Sequence, residues 1–469
     1  MRLTLDPSSL NDYRTFLAVK KLPTYRIRGR EAWFPDEYCE RLGLSDTEHD
    51  THEYQPHPGL FDYQRDIAAL AIRKRKFAAF ADCGLGKTLI MGEFVRHARK
   101  VMPKHQRALI VSPLMVVPQT VAEFQKFYGS KFKIDQVASS DLQEWLQGKG
   151  GIGITNYEAL RDDVTQGNLG CLVLDESSIL KSAYGKFGQK CVELGKGVEW
   201  KLCATGTPAP NDRIEYGTHA VFLDQFPNIN AFLARYFVNR GQTDNRWEIK
   251  PHALEPFYRA LSHWCIFLSN PAVYGWKDNC GTLPPINVHI EDVELTAQQE
   301  ASVQEHTGGL FAYNIGGITS RNVLGRIAKG YHDGQQVETL KPAYIVNRIA
   351  SWPDESTIVW CLYNDEQDRL AQLMPDAANI SGDTPHEKRL ELIDDFKAGR
   401  RKVLISKGKI LGYGLNLQRC TRMVFSGLQD SYETYYQCVK RANRIGSTLP
   451  LNVHIPCTDI ERPDRKSVV

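Results

Sequence analysis

No Cys-x-x-Cys pair occurs in this 469-residue chain, and its cysteines number eleven, an odd count. A disulfide framework is therefore not what organises it. Cys171, Cys203 and Cys361 lie inside apolar runs, where a reduced thiol acts as a small hydrophobe. The 13 histidines show no metal-ligand spacing. The first residues, Met1-Arg2-Leu3-Thr4-Leu5-Asp6, contain no apolar signal core, and no apolar run approaches the length that crosses a bilayer. Repeats and low-complexity tracts are missing too. Net charge is only +3, so a nucleic-acid partner would have to meet a local basic surface rather than a global excess. Two clusters qualify: Arg73-Lys74-Arg75-Lys76, and Lys20, Lys21, Arg26, Arg28 and Arg30. Each reads equally well as a solvated helix end or loop. With 42% hydrophobic and 24% charged residues, the expectation is a soluble cytoplasmic protein of two domains with no membrane partner.

What is present is a series of short apolar runs, each ending at a small or acidic residue. They are Phe77–Ala81, Ala108–Val111, Gly151–Ile154, Cys171–Leu174, Leu202–Ala204, Ile358–Leu362, Val403–Ile405, Met423–Phe425 and Leu451–Ile455. Helix-period segments separate most of them. Fully apolar strands alternating with helices predict an α/β fold with parallel sheets covered on both faces. The runs fall into two groups, so two sheet-bearing lobes are expected, at 56–225 and 341–460. An extension covers 1–55, a helical insertion 226–285, a connecting segment with a helical protrusion 286–340, and a tail 461–469. The insertion is rich in aromatics, and helical spacing there suits a small packed core better than a base-stacking surface.

Polar motifs follow the carboxyl ends of the apolar runs, where ligands sit in such sheets. Cys83-Gly84-Leu85-Gly86-Lys87-Thr88 follows one run and opens a helical segment. Glycines let backbone N–H groups curl around phosphates, Lys87 reaches the β and γ phosphates, and the Thr88 hydroxyl holds Mg²⁺. The usual first glycine of such a loop is Ala81 here. Asp175-Glu176 follows the run Cys171–Leu174; Asp175 would bind the Mg²⁺ shell and Glu176 polarise the attacking water. Thr205-Gly206-Thr207-Pro208 follows another run, and its hydroxyls suit coupling the nucleotide site to a moving element. Gln64 precedes the loop strand and suits a bidentate contact to an adenine edge. Arg441 and Arg444, three apart, would share one helix face as arginine fingers for a γ-phosphate.

In this order the segments resemble the Swi/Snf-related branch of superfamily II helicases and translocases, over about residues 58–458. Phe61–Gln64 resembles the Q-type motif and Cys83–Thr88 motif I. Val111-Ser112-Pro113 through Phe124 resembles motif Ia, and Ile154 to Glu158 motif Ib. Asp175-Glu176-Ser177-Ser178 resembles motif II and Ala204 to Pro208 motif III. Ser381-Gly382 with Arg389 and Phe396 resembles motif IVa, Gly412 to Leu417 motif V, and Gln437 to Gly446 motif VI. Motif II carries Ser177 and Ser178 where the family has Ala and His, Asn443 replaces the motif VI His, and Ser447 its last Gln. These forms are similar to compact phage and prophage members. The resemblance implies two RecA-like P-loop NTPase lobes that hydrolyse ATP with Mg²⁺ between them. It adds Gln437 to the catalytic set and Gly414 and Asn416 to the nucleotide contacts. It implies tracking along double-stranded DNA by a monomeric motor, in bacterial or phage-infected cytoplasm. Nucleic acid would cross Ser112-Pro113, Thr155-Asn156 and the loop after Val403–Ile405. An RNA or single-strand helicase, or a nucleotide-gated DNA-binding adaptor, remains the alternative. Segments 1–55 and 213–285 are where protein partners would attach.

Overall fold

The computed structural model describes residues 2–22, 25–35, 38–44, 54–130, 132–182, 185–241, 247–277, 283–308, 318–352, 354–411, 417–427, 431–444 and 446–461. The chain divides into two compact units, residues 1–279 and 280–469. In the first, seven strands form one sheet. From edge to edge they are Cys265–Leu268, Lys76–Ala81, Trp200–Ala204, Leu169–Asp175, Arg107–Ser112, Ile152–Asn156 and Asp135–Gln136. Every pairing is parallel. Successive side chains point to opposite faces, and both faces are packed. Ala78, Phe80, Leu109, Val111, Leu172 and Leu174 belong to one core cluster. Phe77, Ala108, Ile110, Cys171 and Val173 belong to the other. This is why the strands read as unbroken apolar runs.

All nine apolar runs are strands, with ends that differ from the sequence reading by no more than two residues. Four further strands of the parallel sheets lie outside these runs. Asp135–Gln136 and Ala378–Ile380 are too short to show a period. Cys265–Leu268 directly follows the helix Leu254–Trp264 and merges with its apolar face. Ile286–Asp292 is a largely solvent-facing edge strand. Phe226, Phe232, Tyr236, Phe237 and Phe257 are buried together with ring centroids 5.3–6.1 Å apart, so these aromatics are core. Residues 2–44 form a small module of their own. Three antiparallel strands, in the order Arg2–Thr4, Glu31–Trp33 and Arg26–Arg28, pack one face on the helix Leu10–Lys20 around Val19, Leu22, Ala32 and Phe34.

The second unit carries a six-stranded parallel sheet in the order Ile286–Asp292, Leu451–Cys457, Arg422–Phe425, Thr357–Cys361, Val403–Lys407 and Ala378–Ile380. Beyond the carboxyl ends of its strands lies a buried charge cluster. Glu461 meets Lys341 at 2.6 Å and Lys329 at 3.2 Å, and all three are at least 94% out of water. The Thr458 N–H and hydroxyl donate to the same carboxylate at 3.0 and 3.1 Å, and Lys341 also donates to the Ser426 carbonyl at 3.0 Å. Burial opposes the charged carboxylate, but the two facing ammoniums outweigh it and hold Glu461 down at about 2. The cluster ties the helix Ile318–Ala328 and the helix Lys341–Ala350 to the sheet. Among the described residues no helix is long and apolar enough to cross a membrane, and every cysteine is a free thiol.

Removing the carboxylate leaves two buried ammoniums unpaired. Glu461→Gln should cost about 3–5 kcal/mol, read as a fall in denaturant midpoint of the second unit's transition. Because the folded pKa lies below the ordinary 4.5, this carboxylate's stabilisation is complete above pH 4.5 and is lost as pH falls towards 2. The variant's deficit should shrink over that window.

Candidate phosphate-binding site

The strand Lys76–Ala81 ends at a turn that opens the helix Lys87–Val101. Gly84 and Gly86 have φ of 90° and 68°, the left-handed region that favours glycine. At Gly86 the constraint is also steric: a Cβ there would lie 2.1 Å from the Gln64 amide nitrogen. Gln64 is buried on the helix Asp62–Lys74. Its side-chain oxygen accepts from the Phe61 N–H at 3.0 Å and its amide donates to the Leu85 carbonyl at 3.4 Å. The Tyr63 hydroxyl donates to the same carbonyl at 3.2 Å. The residue expected to read a base thus packs directly against the loop. Lys87 donates to the Ala81 and Asp82 carbonyls at 3.0 and 3.4 Å. The Cys83 N–H donates to Asp82 Oδ1 at 2.7 Å, and Thr88 is half-buried in the first helical turn.

Strand register assembles the rest. Val111 lies opposite Leu174, so Ser112 stands beside Asp175; Asp175 lies opposite Ala204, so Thr205 stands beside Glu176. The Ser112 hydroxyl donates to Asp175 Oδ2 at 2.8 Å, and Tyr157 donates to the Asp175 carbonyl at 2.6 Å. Burial pushes the Asp175 carboxyl up to about 7, and the Glu176 charge adds to the rise; the Ser112 hydroxyl and the Lys87 ammonium pull against it. Glu176 occupies the left-handed region at φ 50°, a conformation that costs about 1–3 kcal/mol outside glycine and recurs at functional sites. Its carboxylate accepts from the Thr205 hydroxyl at 3.2 Å, and Thr205 Oγ1 in turn accepts from the Thr207 N–H at 3.2 Å. A Cβ on Gly206 would sit 3.4 Å from the Ala81 carbonyl, so this turn closes tightly on the loop strand.

The donor set fits Mg²⁺ and a nucleoside triphosphate. Among the described residues no cluster of three His, Cys, Asp or Glu side chains is placed to hold a metal alone. Thr88 and Asp175 offer one hydroxyl and one carboxylate, which suits Mg²⁺ shared with phosphates and water. A carboxyl whose ionisation burial resists is one that a dication would favour.

One residue escaped the sequence. His219, on the helix Tyr216–Phe222, is fully buried with Nε2 3.2 Å from Ser177 Oγ and Nδ1 3.4 Å from the Glu215 carbonyl. A carbonyl only accepts, so Nδ1 carries the proton and Nε2 accepts from Ser177. Burial lowers the imidazole to about 4, which keeps it neutral. An imidazole therefore does contact the motif II turn, from a helix beyond Thr207. A lone histidine in an apolar helix gives no sequence signal of this.

Two surface expectations narrow. The Ser112 hydroxyl is taken by Asp175 and that of Thr155 by the Val137 carbonyl at 2.8 Å, both buried. Arg75 pairs with Glu199 and covers the Trp200 ring, and Lys76 pairs with Asp224 at 2.6 Å, so the second half of this basic run is spent on internal partners.

In the second unit the helix Tyr432–Ala442 carries buried Gln437 and Arg441, and Gln437 donates to Glu433 at 3.3 Å. The helix stops before Arg444, which is half-buried beyond its end. Asn443 leaves helical geometry with ψ of 86° and its side chain donates to the Pro284 carbonyl at 2.8 Å. Helical spacing therefore does not relate Arg444 to Arg441. Gly414 and Asn416 lie outside the described residues. Arg389 donates to the Thr384 carbonyl at 2.8 Å, locking the turn after Ser381.

Two parallel-sheet units, the first with a phosphate loop beside an Asp-Glu strand end, define the P-loop NTPase class with RecA-like lobes. The SNF2-related domain matches residues 78–331, and the helicase conserved C-terminal domain matches residues 340–446. The chain belongs to the SNF2-related family. A Mus musculus DNA repair and recombination protein RAD54-like is 27% identical over 198 residues, 38% of this chain and 24% of that protein. Bos taurus DNA annealing helicase and endonuclease ZRANB3 is 23% identical over 432 residues, 84% of this chain and 38% of that protein. The chain thus spans about a quarter of the length of the first curated relatives, 24% of two and 23% of a third. The solved structure of S. cerevisiae Dbp5 bound to RNA and ADP BeF3 shares the fold, with TM-score 0.53, 13% identity, and coverage of 87% of this chain and 86% of that one.

Asp175→Asn should stabilise the nucleotide-free protein. The wild-type carboxyl resists ionising when folded, so it favours the folded state below pH 3.8 and loses that contribution as pH rises through about 7. The thermal midpoint gain of the variant should therefore grow between those pH values and level off above them.

Proposed function

We propose that the chain is an ATP-dependent motor that hydrolyses ATP to ADP and phosphate with Mg²⁺ and moves along double-stranded DNA. The observation that carries it is the Asp175-Glu176 pair, held by strand register beside the phosphate loop and joined through Thr205 to the next turn. A passive nucleotide cradle has no use for a strained glutamate whose carboxylate is hydrogen-bonded to a neighbouring strand end. In this proposal Lys87 and the loop N–H groups hold the phosphates, and Thr88 and Asp175 hold Mg²⁺. Glu176 polarises the attacking water. Arg441 and Arg444 neutralise charge on the transferred phosphoryl group, and Gln437 supports them. The Glu176–Thr205–Thr207 chain gives the change at the γ-phosphate a route to a neighbouring segment.

DNA is favoured over RNA because the relatives covering most of this chain include a DNA annealing helicase, and the RAD54-like relatives are named for DNA repair. The RNA-bound Dbp5 structure supports the fold and keeps an RNA-stimulated motor as the second reading.

Lys87→Ala and Glu176→Gln should each abolish nucleic-acid-stimulated ATP hydrolysis; wild-type turnover in either would overturn the site assignment. Arg444→Ala should lower turnover by roughly 10³–10⁵-fold with ATP affinity nearly unchanged. ATPase titrations against duplex DNA, single-stranded DNA and RNA should show the largest stimulation with duplex. Triplex displacement without strand separation would identify translocation.

A further inference from the structure

Of the two basic clusters in the sequence, the structure leaves one open. Tyr13 to Trp33 contains six cations, Arg14, Lys20, Lys21, Arg26, Arg28 and Arg30, against the single acid Glu31. That short stretch carries more net positive charge than the whole chain at +3. All six are exposed. Three of them form a row. Arg26 and Arg28 alternate along one strand with Ile27 between them, and Ile27 packs into the module's core with Ala32 of the central strand. The arginines therefore face outward, about 6.6 Å apart along the strand, and Arg30 follows in the turn. Arg26 lies opposite Trp33 and Arg28 opposite Glu31. Among the described residues none of the three guanidiniums has a hydrogen-bond or ion-pair partner, in contrast to Arg75 and Lys76. Glu31 lies across from Arg28 with no ion pair between them, and the repulsion left among the exposed arginines is a cost that a polyanion removes.

We propose that the outer face of this three-stranded sheet is a second nucleic-acid contact, gripping the phosphate backbone of duplex DNA through Arg26, Arg28 and Arg30. This rests on the chain being a DNA motor. Phosphate is the partner that the chemistry selects. Guanidinium forks match phosphate oxygens bidentately, and the strand holds Arg26 and Arg28 two residues apart on one face. Leu3, Ile27 and Ala32 point inward and half-buried Trp33, opposite Arg26, is left on the outer face, so a protein partner would find one apolar anchor there amid cations, fewer than a stable protein interface uses. The module belongs to the first unit, where the Arg235 guanidinium of the helix Ile229–Tyr236 lies 4.9 Å from the ring of buried Tyr38. The grip accordingly travels with the phosphate loop. A tethered second contact raises the effective concentration of DNA at the motor while the first contact lets go, which lengthens each run.

The test uses the full chain and a short fluorescent DNA duplex. Arg26→Glu/Arg28→Glu/Arg30→Glu should weaken duplex binding roughly tenfold. It should also flatten the slope of log affinity against log salt by about 0.9 for each phosphate that is no longer neutralised. Turnover at saturating DNA, DNA-free ATPase and the thermal midpoint should stay at wild-type values. The triple glutamine variant, which keeps length and removes only charge, should show the same changes at smaller amplitude. Wild-type affinity and salt slope in the glutamate variant would overturn the proposal while leaving the motor reading intact. So would loss of binding only in step with a fallen midpoint, or loss of binding to anionic vesicles with DNA binding kept. If the wild-type chain binds no duplex at all, the motor reading and this proposal fall together.

Discussion

A carboxylate held out of water at the end of a seven-residue buried strand is the constraint around which the first unit is arranged. Asp175 is 5% exposed and every other residue of its strand is buried. A group in that position has to be met by a hydrogen-bond donor and a counter-charge. Ser112 donates to the carboxylate from the strand on one side and the Lys87 charge comes from the loop, while Tyr157, in the turn after the next strand, holds the Asp175 backbone carbonyl. Lys87 is presented by the turn at Gly84 and Gly86, but the Ser112 contact needs no special loop. It follows from which residue of a parallel ladder lies opposite which, and a one-residue slip in register would send the Ser112 side chain to the other face of the sheet. The same ladder sets Thr205 beside Glu176. Sheet packing and site geometry are therefore one problem in this lobe.

The two units use charge differently. The first places its buried acid where a ligand can reach it, and its basic run Arg75-Lys76 is spent on Glu199, Trp200 and Asp224. Lys201, fully buried, also meets Asp224 at 3.0 Å, so Arg75, Lys76 and Lys201 are all paired at this corner. The second unit closes its cluster completely around Glu461. Net charge near zero thus conceals three separate uses of cations: internal pairing, site chemistry, and the outward row on the amino-terminal module. Only the last is open to solvent without a partner among the described residues.

The nine buried strands were legible because a strand covered on both faces must be apolar at every position, and that leaves a mark in the sequence that no turn or amphipathic helix imitates at the same length. The loop, the acid pair and the Thr-Gly-Thr turn were legible because each sits just beyond such a strand. Less could be read where one element imitates another. Cys265–Leu268 continues the apolar face of a helix, and Ile286–Asp292 lies at a wet edge. Contacts made across the fold left no trace at all. His219 is an unremarkable histidine until the helix that carries it is docked on Ser177, and nothing in the sequence shows that the Gln64 amide packs against Gly86. Spacing also failed at Arg444, since a side-chain bond from Asn443 to Pro284, far away in sequence, helps end the helix before it.

Glu461 answers Lys329 from 132 positions further along the chain, and Leu451–Cys457 is the strand that seats Ile286–Asp292 in the sheet. On the ribosome, where synthesis runs from the amino end, the first unit can therefore consolidate while the second is still being made. The second cannot. Until residue 461 has emerged, Lys329 and Lys341 have no carboxylate to enter the interior with, and the edge strand has no neighbour. The most sequence-distant pairings of the unit are made last, so its assembly waits for residues 451–461 rather than for local helix formation. A nascent chain arrested short of this point would present a finished phosphate loop on an otherwise incomplete protein.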